Sequence, residues 1–201
     1  MKKLLTTCAY LFHPVFIPVY ATLFYLFSKK TVFVYHEKLY ILLQVFIVTL
    51  VVPILFFFLL KATGKISSIM VPKIGERKLP LVIQCFLLII LVKQSITVER
   101  YPELHFFMLA ALMSTLIALV LLFFKTKASL HMIGISGLTL FYFGLNLLNN
   151  TQNTILFALL IFVNGLVASS RLEMKAHTSK ELIIGVLVGS IPQILLMLLW
   201  L

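Results

Sequence analysis

Basic, hydroxyl and histidine side chains cluster in three short stretches that are separated by long apolar segments. The stretches cover residues 73–80, 127–131 and 170–181. Lys73, Arg77 and Arg171 are suited to hold a phosphate, because an arginine offers two parallel hydrogen bonds to an oxyanion and a lysine offers a compact charge. These residue types predict a binding site for a phosphorylated ligand.

The two histidines of these stretches, His131 and His177, could divide the work of phosphoryl transfer. One histidine attacks phosphorus, and the other protonates the leaving oxygen. Glu181 follows His177 by four residues, and on a helix this spacing would put both side chains on one face. A carboxylate bonded to the second ring nitrogen would set the tautomer of the nucleophile. Such a site needs no metal and no other cofactor, because the cationic side chains neutralise the developing charge.

The third stretch resembles the signature of the type-2 phosphatidic acid phosphatase family, the membrane relatives of the vanadium haloperoxidases. That signature is Ser-Arg, five residues, His, three residues and Asp, and this chain keeps every spacing with Ser170, Arg171, His177 and Glu181. The second stretch resembles the family's Pro-Ser-Gly-His, and the first resembles its Lys-rich motif that ends in Arg-Pro. The three motifs occur in the family's order, and the resemblance covers roughly residues 73–189.

The resemblance implies a membrane lipid phosphate phosphatase that hydrolyses a phosphomonoester or pyrophosphate through a phosphohistidine intermediate. His177 would be the nucleophile, Glu181 would orient it, and His131 would be the general acid. The phosphate-binding residues would be Lys73, Arg77, Ser129 and Arg171. The family suggests phosphatidate, phosphatidylglycerol phosphate, prenyl pyrophosphate or lipid A phosphate as substrates, and the sequence does not choose among them.

The chain departs from the family pattern at several positions. Glu181 replaces Asp, and Ala128 and Leu130 stand where the family has Pro and Gly. The first motif is also shorter than the family's. An alternative interpretation is therefore an inactive member that binds or moves an anionic lipid without catalysis. A purely structural membrane subunit is a third interpretation, but it leaves the clustering of the polar residues unexplained.

The apolar segments must position these stretches. The chain has 201 residues, of which 62% are hydrophobic and 11% charged, against roughly 45–50% and 25% in soluble domains. A run of roughly 20 apolar residues crosses the hydrocarbon core, and in lipid it must be helical. The sequence therefore predicts an all-α fold, a polytopic transmembrane helical bundle of six to seven spans in a single domain over residues 1–201. The predicted helices cover residues 4–27, 39–60, 79–98, 104–124, 132–148, 153–169 and 182–201.

Seven crossings would bring the three stretches to one side of the membrane. We call this side the N-terminal face, because it also holds the N-terminus, and the other side the C-terminal face. The N-terminal face carries 12 of the 17 basic residues, which leaves five for the C-terminal face. The positive-inside rule would assign the N-terminal face to the cytoplasm. The resemblance implies instead a bacterial cytoplasmic membrane with the site facing outward, and we follow it because phosphate-binding bases enlarge the basic count.

The remaining features have simpler interpretations. The net charge of +11 lies in loops between apolar runs, so it favours the bilayer and a membrane lipid phosphate as partners over nucleic acid. The oligomeric state stays open. His13, which precedes Pro14, could line a cavity near the N-terminal face, but we favour the interpretation that it belongs to a kink in the first helix. Gly185 and Gly189 are expected to allow close helix packing.

Overall fold

The computed structural model describes residues 2–28, 33–66, 74–151 and 153–201 of the chain. These residues form α-helices joined by short turns, and no strand occurs among them. The helices are α1 (Lys2–Leu11), α2 (Ile17–Ser28), α3 (Tyr35–Phe46), α4 (Val52–Ala62), α5 (Ile74–Ile90), α6 (Pro102–Phe123), α7 (Leu130–Leu148), α8 (Thr154–Glu173) and α9 (Ser179–Met197).

Seven helical segments of the described chain are long and apolar enough to cross a membrane, so the protein is an all-α polytopic membrane bundle as the composition predicts. Helices α1 and α2 together form the first span, α3 and α4 the second, and α5 to α9 begin or form the other five. The third span, which contains Lys93, covers Gly75–Ser95. Lys93 is exposed near its end, where a long side chain can reach the interface.

The first span is interrupted at proline. Helix α1 ends at Leu11, and a short 3-10 turn, Pro14–Phe16, leads into α2. Pro14 has no backbone N–H to continue the helical ladder. His13 caps this turn, because its Nδ1 atom accepts a hydrogen bond from the Val15 amide at 3.4 Å. The kink predicted at His13 is confirmed.

Helices α7 and α9 form the closest pair in the bundle. A Cβ atom added at Gly185 would lie 2.7 Å from the Ser129 carbonyl oxygen, and one added at Gly189 would collide with the backbone of Ile133. The prediction that these two glycines allow close packing is confirmed. The contact holds the start of α7 and the start of α9 side by side, and these two helix ends carry the second and third motifs.

The structure also corrects where the helices begin and end around the motifs. Helix α5 includes Arg77, α7 includes His131, and α8 continues to Glu173 and so includes Arg171. The predicted helices are shorter because the apolar runs stop at the nearest polar residue. Hydropathy alone does not detect a helical first or last turn that carries a polar side chain. With Glu181, which lies in the first turn of α9, four of the predicted site residues therefore project from helix ends and not from loops.

Candidate functional site

A cavity of about 190 Å³ opens between the spans at the N-terminal face. Residues from all seven spans line it, together with the turn between α8 and α9. Its walls are largely apolar, with prolines, leucines and Phe107 among them. The charged and titratable side chains on its lining are His13, Arg77, His131, Arg171 and His177.

His177 is held by Glu181. The Nδ1 atom of His177 lies 2.7 Å from Oε2 of Glu181. An ionised carboxylate only accepts hydrogen bonds, so Nδ1 carries the proton in this pair and Nε2 keeps its lone pair. His177 is 8% exposed and lines the cavity. The pairing therefore leaves an unprotonated ring nitrogen as the atom available to a ligand.

The geometry behind this pairing differs from the predicted one. The two residues do not share a helical face. Helix α9 begins at Ser179, and its N-cap residue Thr178 has an extended backbone, so His177 lies before the helix. Thr178 and Glu181 form a capping box: the Thr178 hydroxyl oxygen accepts from the Glu181 amide, and Glu181 Oε2 accepts from the Thr178 amide at 3.3 Å. The same carboxylate oxygen thus accepts a hydrogen bond from the backbone amide at the start of α9 and orients the ring of His177.

The surroundings of His177 favour its neutral form. Burial, together with the nearby charges of Arg77 and Arg171, lowers the pKa of His177 to about 4, although the hydrogen bond to Glu181 and the charge of that carboxylate oppose the shift. The charge of a histidine is disfavoured both by the loss of water and by the two guanidinium groups. At neutral pH the imidazole is therefore uncharged and able to act as a nucleophile.

His131 and Ser170 connect the site to the first span. Nε2 of His131 lies 3.2 Å from the carbonyl oxygen of Ala9 and must donate to it, since a carbonyl only accepts. The Ser170 hydroxyl donates to the Leu5 carbonyl at 2.7 Å. His131 is buried on the cavity lining, and its Nδ1 atom is the ring nitrogen left to exchange a proton with a ligand.

Arg171 is a buried cation at the end of α8. Its side chain is buried, its Nη1 atom contacts the Met174 sulfur at 3.8 Å, and its Nε atom has no hydrogen-bond partner among the described residues. A buried guanidinium group is costly unless an anion or hydrogen-bond acceptors compensate it. The cavity beside Arg171 therefore suits an anionic group, and Arg77 on the same lining adds a second positive charge.

One predicted phosphate ligand, Ser129, is not part of this lining. The Ser129 side chain is fully buried without a hydrogen-bond partner among the described residues, and it does not line the cavity. The Ser129 amide donates to the Glu181 carbonyl at 3.1 Å, so it helps to fasten α7 to α9. Lys73 lies outside the described residues.

His13 lies in the site, although the sequence interpretation favoured a structural role for it over a place on a cavity wall. It lines the cavity, and its ring meets the ring of His131 edge-on at 5.0 Å between centroids. The available signal was a histidine inside an apolar segment, which is often functional in membrane proteins. The neighbouring proline gave a sufficient structural reason for a kink, and for that reason the cavity-lining interpretation was not preferred.

Among the described residues no group of three or more His, Cys, Asp or Glu side chains is placed to hold a metal ion. Cys8 and Cys85 are both free. No family model matches the chain, and no curated protein or solved structure matches it.

Proposed function

We propose that the protein is a lipid phosphate phosphatase that works through a phosphohistidine at His177. The observation that supports this most is the convergence of His177, His131 and Arg171 on one cavity although they lie on different elements of the chain. Glu181, which is hydrogen-bonded to His177, completes a nucleophile and orienter pair. The motif resemblance supports the same assignment of roles.

The proposed reaction has two balanced steps. The lone pair on Nε2 of His177 attacks phosphorus, and the bond from phosphorus to the leaving oxygen breaks. Nδ1 of His131, whose Nε2 proton is donated to the Ala9 carbonyl, takes the proton of the substrate's phosphate monoanion and passes it to that leaving oxygen. The phosphorylated imidazole carries a positive charge, which the Glu181 carboxylate stabilises through Nδ1. Water then attacks phosphorus, His131 takes a proton from it, and His177 leaves with its electron pair. Arg77 and Arg171 stabilise the charge on the phosphoryl oxygens.

The apolar cavity walls and the membrane-spanning bundle favour a substrate whose tail stays in the bilayer. The substrate class is a lipid phosphomonoester or pyrophosphate. No metal takes part in the proposed steps, since the arginine side chains supply the positive charge. This last point is tested by adding a chelator to the assay.

The decisive assay is phosphate release from a panel of lipid phosphates by purified protein in detergent with a chelator present. We expect wild-type release to survive chelation. His177→Ala and His131→Ala are each expected to reduce it by about a thousandfold, since each removes a group that acts in the transition state. His36→Ala is the matched control, because His36 is exposed on α3 and does not line the cavity.

Release that is unchanged in His177→Ala would contradict the proposal. Release that disappears equally in His36→Ala would point to a general loss of folding instead. The substrate class is identified by whichever lipid gives the highest histidine-dependent rate.

A second candidate function is the binding or movement of an anionic lipid without hydrolysis. It is favoured by Ser129, which faces away from the cavity and whose amide bonds to Glu181. In this case His177→Ala would leave lipid affinity unchanged and no lipid in the panel would release phosphate. Arg171→Ala would still weaken binding.

We also propose a bacterial cytoplasmic membrane as the location, with the N-terminal face outward. Seven spans put the two termini on opposite sides. A reporter that works only in the cytoplasm should therefore be active when it is fused to the C-terminus. A reporter that is active at the N-terminus would show that the N-terminal face lies in the cytoplasm.

A further inference from the structure

The inner part of the cavity contains a buried amide that the proposed chemistry does not use. Gln193 on α9 lines the cavity and is 1% exposed, and its Nε2 atom has no hydrogen-bond partner among the described residues. An unsatisfied amide in an apolar environment is strongly unfavourable, and among hydrocarbon-facing helices water is scarce as a substitute. This side chain is therefore a candidate donor to a ligand.

The neighbouring polar groups do not satisfy this donor. Ser114 lines the same part of the cavity, but its hydroxyl donates to the Val188 carbonyl at 2.8 Å. The Thr115 hydroxyl donates to Ala111 on its own helix at 2.7 Å. Both hydroxyls use their protons inside the protein. Among these three cavity groups, Gln193 keeps hydrogen-bond donors for a ligand.

Gln193 lies below the charged residues by a distance that fits one part of a lipid. On α9, Gly185 is level with Ser129 and Met132, the residues that flank His131 at the start of α7. Gln193 follows Gly185 by eight residues, which is about 12 Å along a helix. The donor is thus about two turns deeper in the membrane than the histidine and arginine end of the cavity.

A lipid whose phosphate lies at the charged end would place a different group at this depth in each class. In a diacylglycerol phosphate, the glycerol unit and its ester carbonyls follow the phosphate directly, and a carbonyl oxygen accepts a hydrogen bond. In a prenyl phosphate, only hydrocarbon follows. An unsatisfied donor at this depth stabilises a bound diacylglycerol phosphate and not a bound prenyl phosphate.

We propose that Gln193 donates its side-chain amide to an ester carbonyl of the bound lipid and so selects acyl-ester lipid phosphates over lipids with purely hydrocarbon chains. This inference rests on the proposed phosphate site at the charged end, but it concerns binding and needs no hydrolysis. It identifies the substrate class as an ester-linked glycerolipid phosphate.

The test compares two lipids that differ only in their carbonyl groups. These are a diacyl and a dialkyl-ether glycerol phosphonate, in which a methylene replaces the oxygen that would leave, so neither can be hydrolysed. Affinity is the lipid concentration that gives half of the maximal rise in Tm of the purified protein in detergent. We expect wild type to bind the diacyl lipid about fivefold more tightly, the effect of one net hydrogen bond.

Gln193→Met removes the donor at similar volume. It should abolish this preference by weakening diacyl binding alone, and Gln193→Leu should do the same if the methionine variant expresses poorly. Gln44→Met is the matched control, because Gln44 lies on α3 and does not line the cavity. It should keep the preference.

Equal affinities in wild type would overturn the inference, and so would a preference that survives in Gln193→Met. A wild-type preference that Gln193→Met abolishes would support the inference even if no lipid releases phosphate. In that case only the proposed hydrolysis would fail.

Discussion

The two ends of the bundle both bury polar side chains, yet they satisfy them in different ways. At the C-terminal face the Tyr101 hydroxyl donates to Glu37 at 3.0 Å, and Arg100 approaches the same carboxylate at 3.8 Å. His105 bonds to the Ile96 carbonyl at 2.7 Å. These groups find their partners within the protein, and none of them lines the cavity.

At the N-terminal face a carboxylate is paired with a histidine and not with the buried arginine. Glu181 binds His177, whereas Arg171 is buried with a sulfur contact and an unsatisfied Nε atom among the described residues. His177 and Arg171 both line the cavity. Tyr101, Arg100 and His105 are thus paired within the protein at the C-terminal face, whereas the unsatisfied Arg171 supports the proposal that the N-terminal cavity receives an anionic ligand.

The difference between the two ends is tested most strongly by removing one arginine from each end. Arg171→Ala should lower kcat/KM for phosphate release about 100-fold, because a cation that stabilises the transferring phosphoryl group is lost. Arg100→Ala should change it by less than about twofold, since an exposed ion pair contributes little. Equal losses in the two variants, measured in parallel on the preferred lipid, would contradict the distinction between the two ends.

The pH dependence of stability offers a second test at the N-terminal face. The pKa of His177 is lowered to about 4 in the folded protein, whereas an unfolded histidine titrates near 6.5. Between these values the unfolded chain binds the extra proton, so stability falls as the pH falls. On going from pH 7 to pH 4.5, Tm should drop a few degrees more in wild type than in His177→Asn. Equal drops would show that His177 is not buried in its neutral form.

The smallest effect is expected from Tyr101→Phe at the C-terminal face. Loss of the hydrogen bond to Glu37 should lower the unfolding free energy by about 1 kcal/mol and leave phosphate release unchanged. Burial and the Glu37 carboxylate raise the pKa of Tyr101. Its contribution is therefore present below the unfolded pKa of about 10 and is lost as the pH rises through the folded value. Thermal unfolding between pH 8 and 11 should show this alkaline loss in wild type and less of it in Tyr101→Phe.

Much of the fold follows from the sequence because apolar length is a strong signal in membrane proteins. The seven spans and the face that carries the motifs are both where hydropathy places them. The helix ends were less predictable. Arg77 and Arg171 lie within helices that the apolar runs cut short, because a charged side chain at a helix end can point into a cavity.

The sequence predicted the contacts in the site that depend on residue spacing, but not the contacts that depend on how the helices pack. Spacing predicted the contact between His177 and Glu181, although the capping box at Thr178, and not a helical face, produces it. His13 and Gln193 reach the cavity only because α2, α7 and α9 pack together. The glycines predicted that α9 packs closely, but not which helix it packs against or which side chains then face the cavity. For the same reason the sequence could not show that Ser129 faces away from the cavity.

The central claim is that the N-terminal cavity transfers a phosphoryl group to His177. The most direct test is to mix the protein with a lipid whose phosphate is radiolabelled, quench the reaction within its first turnovers, and look for protein-bound label. The account predicts a label that is stable in base and labile in acid, that maps to His177, and that is absent in His177→Ala. Rapid phosphate release by wild type with no protein-bound label, or a label that remains in His177→Ala, would contradict it.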